Sequence, residues 1–367
     1  MKTKLRLSPK TKIENAADVD QLERRLRAEG KLPGPVAVVN GTAQPKKSYP
    51  EIKIYTVADL KKLEVPSQSY LIEQLLSSTG AVILVAPSKV GKTLFGVQIG
   101  LSVASGKERF LDHYRIVDRG SVFMIQIDDP AGAASVKEVQ HRSSVADDVP
   151  FYLAAAVPCE LGAEFCEWLE KEITKLAPRC RLVILDSLTA IRARRSARGD
   201  IVKDERDDIV MLDRLAQRLG CCIILIHHVS IGGAKRDWDT QAAGTFAVGA
   251  AATAQIHMSR YPELDINEPA RWLRVRGRHQ DDLEMVVRLR KETLDYEFVF
   301  EGSAAALYPD VQQLKCEFGY KVFTPDQFGK ATGLRHAQIY RNLKKLVGSG
   351  VVTKNSRGEY QLDGTIK

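Results

Sequence analysis

The sequence predicts an α/β protein built on a mostly parallel sheet with helices on both faces, followed by a small C-terminal domain. Between about residues 51 and 307, apolar runs of strand length alternate with longer helical patterns. Several of those runs end in acidic residues or histidines, as functional strand ends do. Beyond about residue 308 the pattern changes to short helices and a hairpin, which indicates a second domain.

Length and composition favour a cytoplasmic protein that does not contact membranes. The 367 residues suit one large domain with small appendages. No apolar run approaches the ~18 residues that span a bilayer, and the basic N-terminus lacks the apolar segment of a secretory signal. The six cysteines show no zinc-binding spacing, so we expect reduced, packed thiols. The net charge of +8 permits binding to a polyanion without identifying one.

The first 50 residues are expected to form an arm. They contain a basic tail, a predicted short helix at 16–29 and a loop rich in Gly, Pro and Lys. Two alternatives remain open, because the helix could pack on a neighbouring subunit or the segment could be a disordered tail. The predicted boundaries are therefore 1–50 for the arm, 51–307 for the large domain and 308–367 for the small one.

A strand, a loop and a helix follow one another in AVILVA, PSKVGKT and LFGVQIGLSVASG. In this context a GKT sequence forms a Walker A phosphate-binding loop. Lys92 is expected to reach the β- and γ-phosphate oxygens of ATP, and Thr93 to bind Mg²⁺. Ala86 replaces the usual first glycine, at a position that needs a small residue. The predicted nucleotide-binding residues are Pro87, Ser88, Lys89, Val90, Gly91, Lys92, Thr93 and Leu94.

The apolar run RLVILD ends in Asp186. Since parallel strands present their C-terminal ends at one edge of the sheet, we expect Asp186 beside the phosphate loop. A carboxylate there can hold Mg²⁺, which is the Walker B interpretation. The predicted metal site is therefore formed by Thr93 and Asp186, with ATP and Mg²⁺ as cofactors.

Two further strand ends complete a set of motifs. SVFMIQI is followed by Asp-Asp-Pro at 128–130, and CCIILI is followed by His-His at 227–228. Together with the phosphate loop, they resemble the RepA-type hexameric replicative helicases of plasmids and related RecA-like ATPases, over roughly residues 67–300. The resemblance implies a RecA-like fold, ATP hydrolysis, a ring-shaped homo-oligomer such as a hexamer, and action on DNA.

The resemblance also implies catalytic roles for these strand ends. The family has a glutamate that polarises the attacking water where this chain has Asp128. Because Asp is one methylene shorter than Glu, hydrolysis is expected to be slow or to be shared with Asp129. His228 falls at the position of a γ-phosphate sensor, and His227 is then structural.

A later segment, RWLRVRGRHQDDLEMVVRL, resembles the family's strand that carries basic residues to the subunit interface. Such residues reach the neighbouring subunit's nucleotide and stabilise the charge that develops during phosphoryl transfer. The candidates are Arg276 and Arg278. The alternative is that these alternating arginines form one solvated strand face.

Two loops are expected to contact single-stranded DNA, because the corresponding loops of RecA-like rings face the central channel. They follow the strands that end in Asp186 and His228, and both are basic. The alternative is that their charges are merely solvated. The predicted contacts are Arg192, Arg194, Arg195 and Arg198 in the first loop, and Lys235 and Arg236 in the second.

The C-terminal segment resembles a winged helix. Thr324 and Gln327 predict a capping box, and apolar residues recur at helical spacing after Gly333. VVTK and EYQL flank a turn, as in a hairpin wing. Duplex DNA is the expected partner, although winged helices also bind proteins. The predicted contacts are Arg335, Arg341 and Arg357.

These motifs predict an ATP-dependent DNA motor, namely a ring-forming replicative helicase of a plasmid, phage or other mobile element. One alternative is a RecA-like recombinase that forms filaments. Another is a nucleotide-switched DNA-binding or loader ATPase with little motor activity, which the shortened side chain of Asp128 keeps open.

Overall fold

The computed structural model describes residues 56–62, 69–128, 133–143, 145–192, 201–228, 251–265, 267–278 and 280–364. The contacts divide the chain into two units, Met1–Val65 and Pro66–Lys367. In the first unit the structure describes one short helix, α1 (Val57–Lys62), whose start is capped by a hydrogen bond from Thr56 Oγ1 to Asp59 Oδ2 of 2.6 Å. The predicted arm at 1–50 lies outside the described residues.

The second unit alternates strands and helices. Its described strands are β1 (Tyr70–Ile72), β2 (Leu76–Ser77), β3 (Gly80–Ala86), β4 (Arg109–Phe110), β5 (Tyr114–Arg115), β6 (Ser121–Gln126), β7 (Phe151–Ala154), β8 (Cys180–Asp186), β9 (Cys222–His228), β10 (Ala254–Ser259), β11 (Ala270–Gly277), β12 (Gln280–Arg290), β13 (Asp295–Glu301), β14 (Val352–Lys354) and β15 (Tyr360–Leu362). Its described helices are α2 (Lys92–Ala104), α3 (Ala134–Arg142), α4 (Ala163–Leu176), α5 (Leu188–Ile191), α6 (Ile201–Leu219), α7 (Tyr308–Phe318), α8 (Pro325–Thr332) and α9 (His336–Gly348), with a 3₁₀ turn at Ala305–Leu307.

Nine of the described strands form one sheet, in the order β13-β12-β11-β10-β3-β9-β8-β6-β7. From β10 to β7 every neighbouring pair is parallel. The other end of the sheet, from β10 to β13, is antiparallel. The predicted mostly parallel sheet is therefore confirmed, with an antiparallel extension made by the arginine-rich strand and its two successors.

Helices cover both faces of this sheet, as predicted. Alternate residues of β3 point to opposite faces, so Val82 and Leu84 join the core beneath α2, whereas Ile83 and Val85 join the core beneath α4 and α6. Phe95 of α2 is fully buried in the first core. Burial on both faces explains why the parallel strands read as continuous apolar runs.

The C-terminal helices share a third core with the antiparallel extension. Tyr308, Val311 and Leu314 of α7 pack with Tyr261 and Phe300. Tyr308 is the first residue of the predicted small domain, so this core crosses the predicted boundary. That boundary stays a prediction.

The C-terminal segment forms the short helices and the hairpin that the sequence indicates. The predicted capping box at the start of α8 is confirmed, since Thr324 N donates to Gln327 Oε1 over 2.8 Å and Gln327 N donates back to Thr324 Oγ1 over 3.3 Å. Strands β14 and β15 pair antiparallel. Three helices therefore precede a β-hairpin in this segment.

Two expectations from composition can be compared with the structure. Among the described residues, no helix combines the length and apolarity that crossing a bilayer requires. All six cysteines are free thiols, and Cys166, Cys180, Cys221 and Cys222 are buried, as expected for packed thiols.

Candidate functional site

The candidate site lies at the C-terminal edge of the parallel strands. Ala86 ends β3 opposite His228 of β9, and Gln126 ends β6 opposite Asp186 of β8. Because β8 also pairs with β9, these four strand ends are neighbours. The sheet topology thus brings together motifs that are far apart in the sequence.

The phosphate-binding loop runs from Pro87 to Gly91 and leads directly into α2. Gly91 has φ of 108°, a left-handed conformation that favours glycine. The side chain of Lys92 is 5% exposed, and its Nζ donates to the carbonyl oxygens of Ala86 (2.9 Å) and Pro87 (3.0 Å). The loop's own backbone therefore holds the ammonium group at the strand end.

Burial shifts the ionisation of Lys92. Desolvation lowers the pKa of Lys92 to about 8, and the carboxylates of Asp186 and Asp128 partly oppose this shift. A phosphate group close to the ammonium would favour the charged form in the same way as these carboxylates do. The protonation state of Lys92 is therefore sensitive to the negative charge beside it.

Asp186 is the centre of a small hydrogen-bond network. Its Oδ2 accepts a hydrogen bond from Thr93 Oγ1 over 2.6 Å and another from Gln126 Nε2 over 2.8 Å. Asp186 is only 2% exposed, and burial raises the pKa of its carboxyl group while the bond from Thr93 opposes the rise. The two side chains predicted to share Mg²⁺ are thus in direct contact.

The donor set fits a magnesium ion. A hydroxyl and a carboxylate are the hard oxygen ligands that Mg²⁺ prefers, and it usually takes only one or two protein ligands together with water and substrate phosphates. Among the described residues, no cluster of three or more His, Cys, Asp or Glu side chains forms a self-sufficient metal site. Thr93 and Asp186 therefore suit a metal that arrives with a nucleotide.

Gln126 is a site residue that sequence reasoning missed. Its Oε1 accepts a hydrogen bond from the main-chain N–H of Asp128 over 2.9 Å, while its Nε2 donates to Asp186. One buried amide thus connects the two acidic positions of the site. The available signal was a polar residue at the end of the apolar run SVFMI.

Asp128 and His228 contact each other across the site. Oδ2 of Asp128 lies 2.9 Å from Nε2 of His228, with side chains that are 42% and 34% exposed. His227 lies on the opposite side of the strand and is buried, and burial lowers the pKa of its imidazole to about 4. The charged-state chemistry at this strand end therefore falls to His228, whereas Asp129 lies outside the described residues.

The two arginines at the end of β11 differ in their surroundings. Arg276 pairs with Asp282, whose Oδ2 accepts from Nη2 over 2.7 Å and from Nε over 3.0 Å. Arg278 has an exposed side chain, and its main-chain N–H donates to Thr253 O over 3.1 Å. Both line one shallow pocket at the sheet edge.

The structure corrects the expectation that Arg192 contacts DNA phosphates. Its side chain is 12% exposed, and its guanidinium lies 3.1 Å from Glu205 Oε1 and 2.9 Å from Asp208 Oδ2 on α6. A guanidinium that two carboxylates neutralise is not available to a polyanion. The other predicted contacts in the two loops lie outside the described residues: Arg194, Arg195, Arg198, Lys235 and Arg236.

The predicted duplex contacts of the C-terminal segment lie on its surface. Arg335 precedes the first residue of α9, and Arg341 lies on the exposed side of that helix. The apolar side of α9 is buried through Ile339 and Leu343. Arg357 is exposed in the turn between β14 and β15.

Comparisons with known proteins point to one family. A family model described as the AAA domain matches residues 46–234. No curated protein matches the chain. Three solved structures are similar: an ATPase domain (11% identity over 60% of this chain and 85% of that one, TM-score 0.46), a RadB recombinase (15%, 60% and 90%, 0.43) and a DnaB-like replicative helicase (12%, 59% and 56%, 0.45).

Proposed function

Because the chain belongs to the AAA domain family, we propose that it binds ATP with Mg²⁺ at the phosphate loop and couples ATP hydrolysis to movement on DNA. The observation that carries the proposal is the arrangement at one sheet edge. There Lys92 and Thr93 open α2, Thr93 contacts Asp186, and Asp128 contacts His228. A phosphate-binding lysine, a metal-binding pair and a candidate base thus occupy neighbouring strand ends.

The loop supplies the groups that bind phosphate. Residues 87–94 run from the end of β3 into the first turn of α2, where main-chain N–H groups and the helix dipole favour an anion. Lys92 adds an ammonium group that the polyphosphate would hold in its charged form. These features support ATP as the ligand.

Thr93 and Asp186 would hold the metal through the hydroxyl and carboxylate oxygens described above. Bound there with the nucleotide, Mg²⁺ would neutralise part of the charge on the β- and γ-phosphate oxygens. Gln126 orients the Asp186 carboxylate by donating to Oδ2, and it leaves Oδ1 for a further ligand. The chain's own residues therefore fix the geometry of this pair.

Asp128 is the proposed general base. Its carboxylate would accept the proton of the attacking water, and its main-chain N–H is fixed by Gln126. His228 holds the carboxylate through Nε2 and is the proposed sensor of the γ-phosphate. A reaction of this kind depends on positioning and charge stabilisation more than on covalent chemistry.

The proposed motor is a ring, most simply a hexamer, that serves as a replicative helicase of a plasmid, phage or other mobile element. Single-stranded DNA would pass through the channel along the basic loops at 193–200 and 229–250. A ring would also place Arg278 of one subunit near the ATP of the next. Electron microscopy of the protein with ATP and single-stranded DNA distinguishes closed rings from the filaments of a recombinase.

We further propose that the C-terminal segment is a winged helix that binds duplex DNA. Exposed cations at the start of α9 and in the hairpin turn support this assignment. Replacing Arg335, Arg341 and Arg357 by alanine should weaken duplex binding and reduce the salt dependence by about one charge for each lost phosphate contact. Lys171→Ala, on α4 of the large domain, is the matched control. Unchanged duplex affinity in the triple variant would assign the segment to a protein partner.

The bond between Asp128 and His228 favours a second candidate function. A carboxylate that is one methylene shorter than glutamate, and that is held by a histidine, suits slow hydrolysis and a long-lived ATP state. The chain would then be a nucleotide-switched DNA-binding or loader ATPase. Its DNA affinity would change with bound ATP or ADP, and no strand displacement would follow.

A further inference from the structure

The carbonyl oxygens of the phosphate loop are held from behind by side chains of the antiparallel extension. Arg271 Nε donates to Val90 O over 2.9 Å, and Tyr296 Oη donates to the same oxygen over 3.2 Å. Arg260 Nη2 donates to Lys89 O over 2.7 Å. In a loop that binds phosphate through N–H groups, fixing the carbonyls on one side orients the N–H groups on the other.

Arg271 is suited to this role by its burial. It is 6% exposed, and its Nη1 donates to the carbonyl oxygens of Glu268 and Ala270, each over 2.7 Å. Burial lowers the pKa of its guanidinium. A buried charged group is tolerated only when hydrogen bonds compensate its desolvation, so this arginine is fixed at the loop by a full set of bonds.

Tyr296 approaches the loop at its glycine. A Cβ atom added to Gly91 would lie 2.0 Å from Tyr296 Oη, which is closer than atoms can approach. The ring is fixed by an edge-on contact with Phe95 of α2, with ring centroids 5.7 Å apart. The tyrosine therefore contacts both the loop and the helix that follows it.

The residues next to these two arginines belong to the third core. Tyr261 follows Arg260, and Ala270 precedes Arg271, and both pack with Tyr308 of α7. Tyr261 Oη also donates to Ala305 O over 2.7 Å. Two neighbouring chain segments thus contact the phosphate loop with one residue and the C-terminal helices with the next.

We propose that Arg260, Arg271 and Tyr296 are positioning residues that hold the phosphate loop in its nucleotide-binding shape, and that the Tyr261 contact with the C-terminal helices contributes to this positioning. The inference rests on the proposed binding of ATP at the loop. It assigns nucleotide affinity partly to residues outside the phosphate loop and its metal site. These residues do not touch the reacting atoms, so the turnover rate of the bound complex should change little.

The test uses the full-length chain and measures the Kd for ADP together with KM and kcat for ATP. Arg271→Lys keeps the charge but loses the planar fork that bonds three carbonyls, so Kd and KM should rise about tenfold with kcat changed by less than about twofold. Tyr296→Phe removes only the Oη bond and should raise Kd about threefold. Tyr261→Phe should also raise Kd, by about twofold to threefold.

Matched controls separate positioning from general destabilisation. Arg181→Lys alters an arginine that donates to Gly220 O at the opposite edge of the sheet, and Tyr114→Phe removes another buried tyrosine hydroxyl, which bonds Glu301. Both should bind ADP as the wild type does. Melting temperatures show whether each variant is folded, and if Arg271→Lys is unfolded, Tyr296→Phe decides.

Three outcomes would overturn parts of the account. Unchanged ADP affinity in folded Arg271→Lys, or in Tyr296→Phe where Arg271→Lys is unfolded, removes the positioning role. Unchanged affinity in Tyr261→Phe removes the link to the C-terminal helices. A wild-type chain that binds no ADP contradicts the proposed function itself, and that result is distinguishable because the wild type is measured first.

Discussion

Nε2 of His228 lies 2.9 Å from Oδ2 of Asp128, so the proposed γ-phosphate sensor contacts the proposed general base. An imidazole nitrogen carries at most one N–H group. A γ-phosphate oxygen that accepts the Nε2 proton of His228 therefore competes with Asp128 for it. The proposed consequence is that binding of ATP frees the carboxylate to act on water.

Asp128→Asn should leave ATP binding intact and reduce hydrolysis by about 10²-fold, because an amide cannot accept the proton of the attacking water. The measurement is steady-state phosphate release beside an ATP-binding titration. Asp129→Asn is the comparison. If it is the damaging change instead, the base lies one residue later than proposed.

Gln126→Leu should reduce kcat for ATP about tenfold or more and raise the Mg²⁺ concentration needed for half-maximal activity. The substitution removes the donor to Asp186 and the acceptor for the Asp128 main-chain N–H. Ser121→Ala, at the other end of β6, is the control. Wild-type Mg²⁺ dependence in a folded Gln126→Leu protein would show that the amide is only structural.

The strand ends could be predicted from the sequence, whereas their supports could not. Asp186, Asp128 and His228 follow apolar runs, and parallel topology alone places them at one edge. Arg271 and Tyr296 reach the phosphate loop through packing between distant segments, which no local pattern indicates. Likewise, a basic run predicted a DNA contact at Arg192, but the acidic side chains of α6 pair with it.

Nucleotide binding at about pH 8.5 should take up protons. The pKa of Lys92 is lowered to about 8, so much of the free protein carries a neutral amine at that pH, and phosphate binding raises the pKa and recharges it. At about pH 6.5 the amine is already protonated, so its contribution disappears. Calorimetry in buffers of different ionisation enthalpy measures the uptake.

Lys92→Arg provides the control for this proton uptake. A guanidinium stays protonated at pH 8.5, so any remaining nucleotide binding by this variant should proceed without the uptake. Proton release by the wild type, or equal uptake by both proteins, would contradict the assignment of the shifted pKa to Lys92.

Arg278→Ala should retain ATP binding but lose about 10³-fold or more of the hydrolysis rate, as expected when an arginine that acts on a neighbouring subunit is removed. Mixing it with Lys92→Ala subunits should restore activity at interfaces with both intact residues. If mixed assemblies form and remain inactive, Arg278 acts within its own subunit or is structural. The same test then applies to Arg276, although its pairing with Asp282 makes it the weaker candidate.

The most direct test of the central claim is strand displacement from a fluorescently labelled forked DNA, followed together with phosphate release. The account predicts that the wild-type chain separates the strands with ATP and Mg²⁺ but not with a non-hydrolysable analogue. Lys92→Ala should do neither, because the phosphate loop loses its ammonium group. Displacement by Lys92→Ala at the wild-type rate, or absence of both ATP hydrolysis and strand displacement in the wild-type protein, would contradict the proposal of an ATP-driven DNA motor.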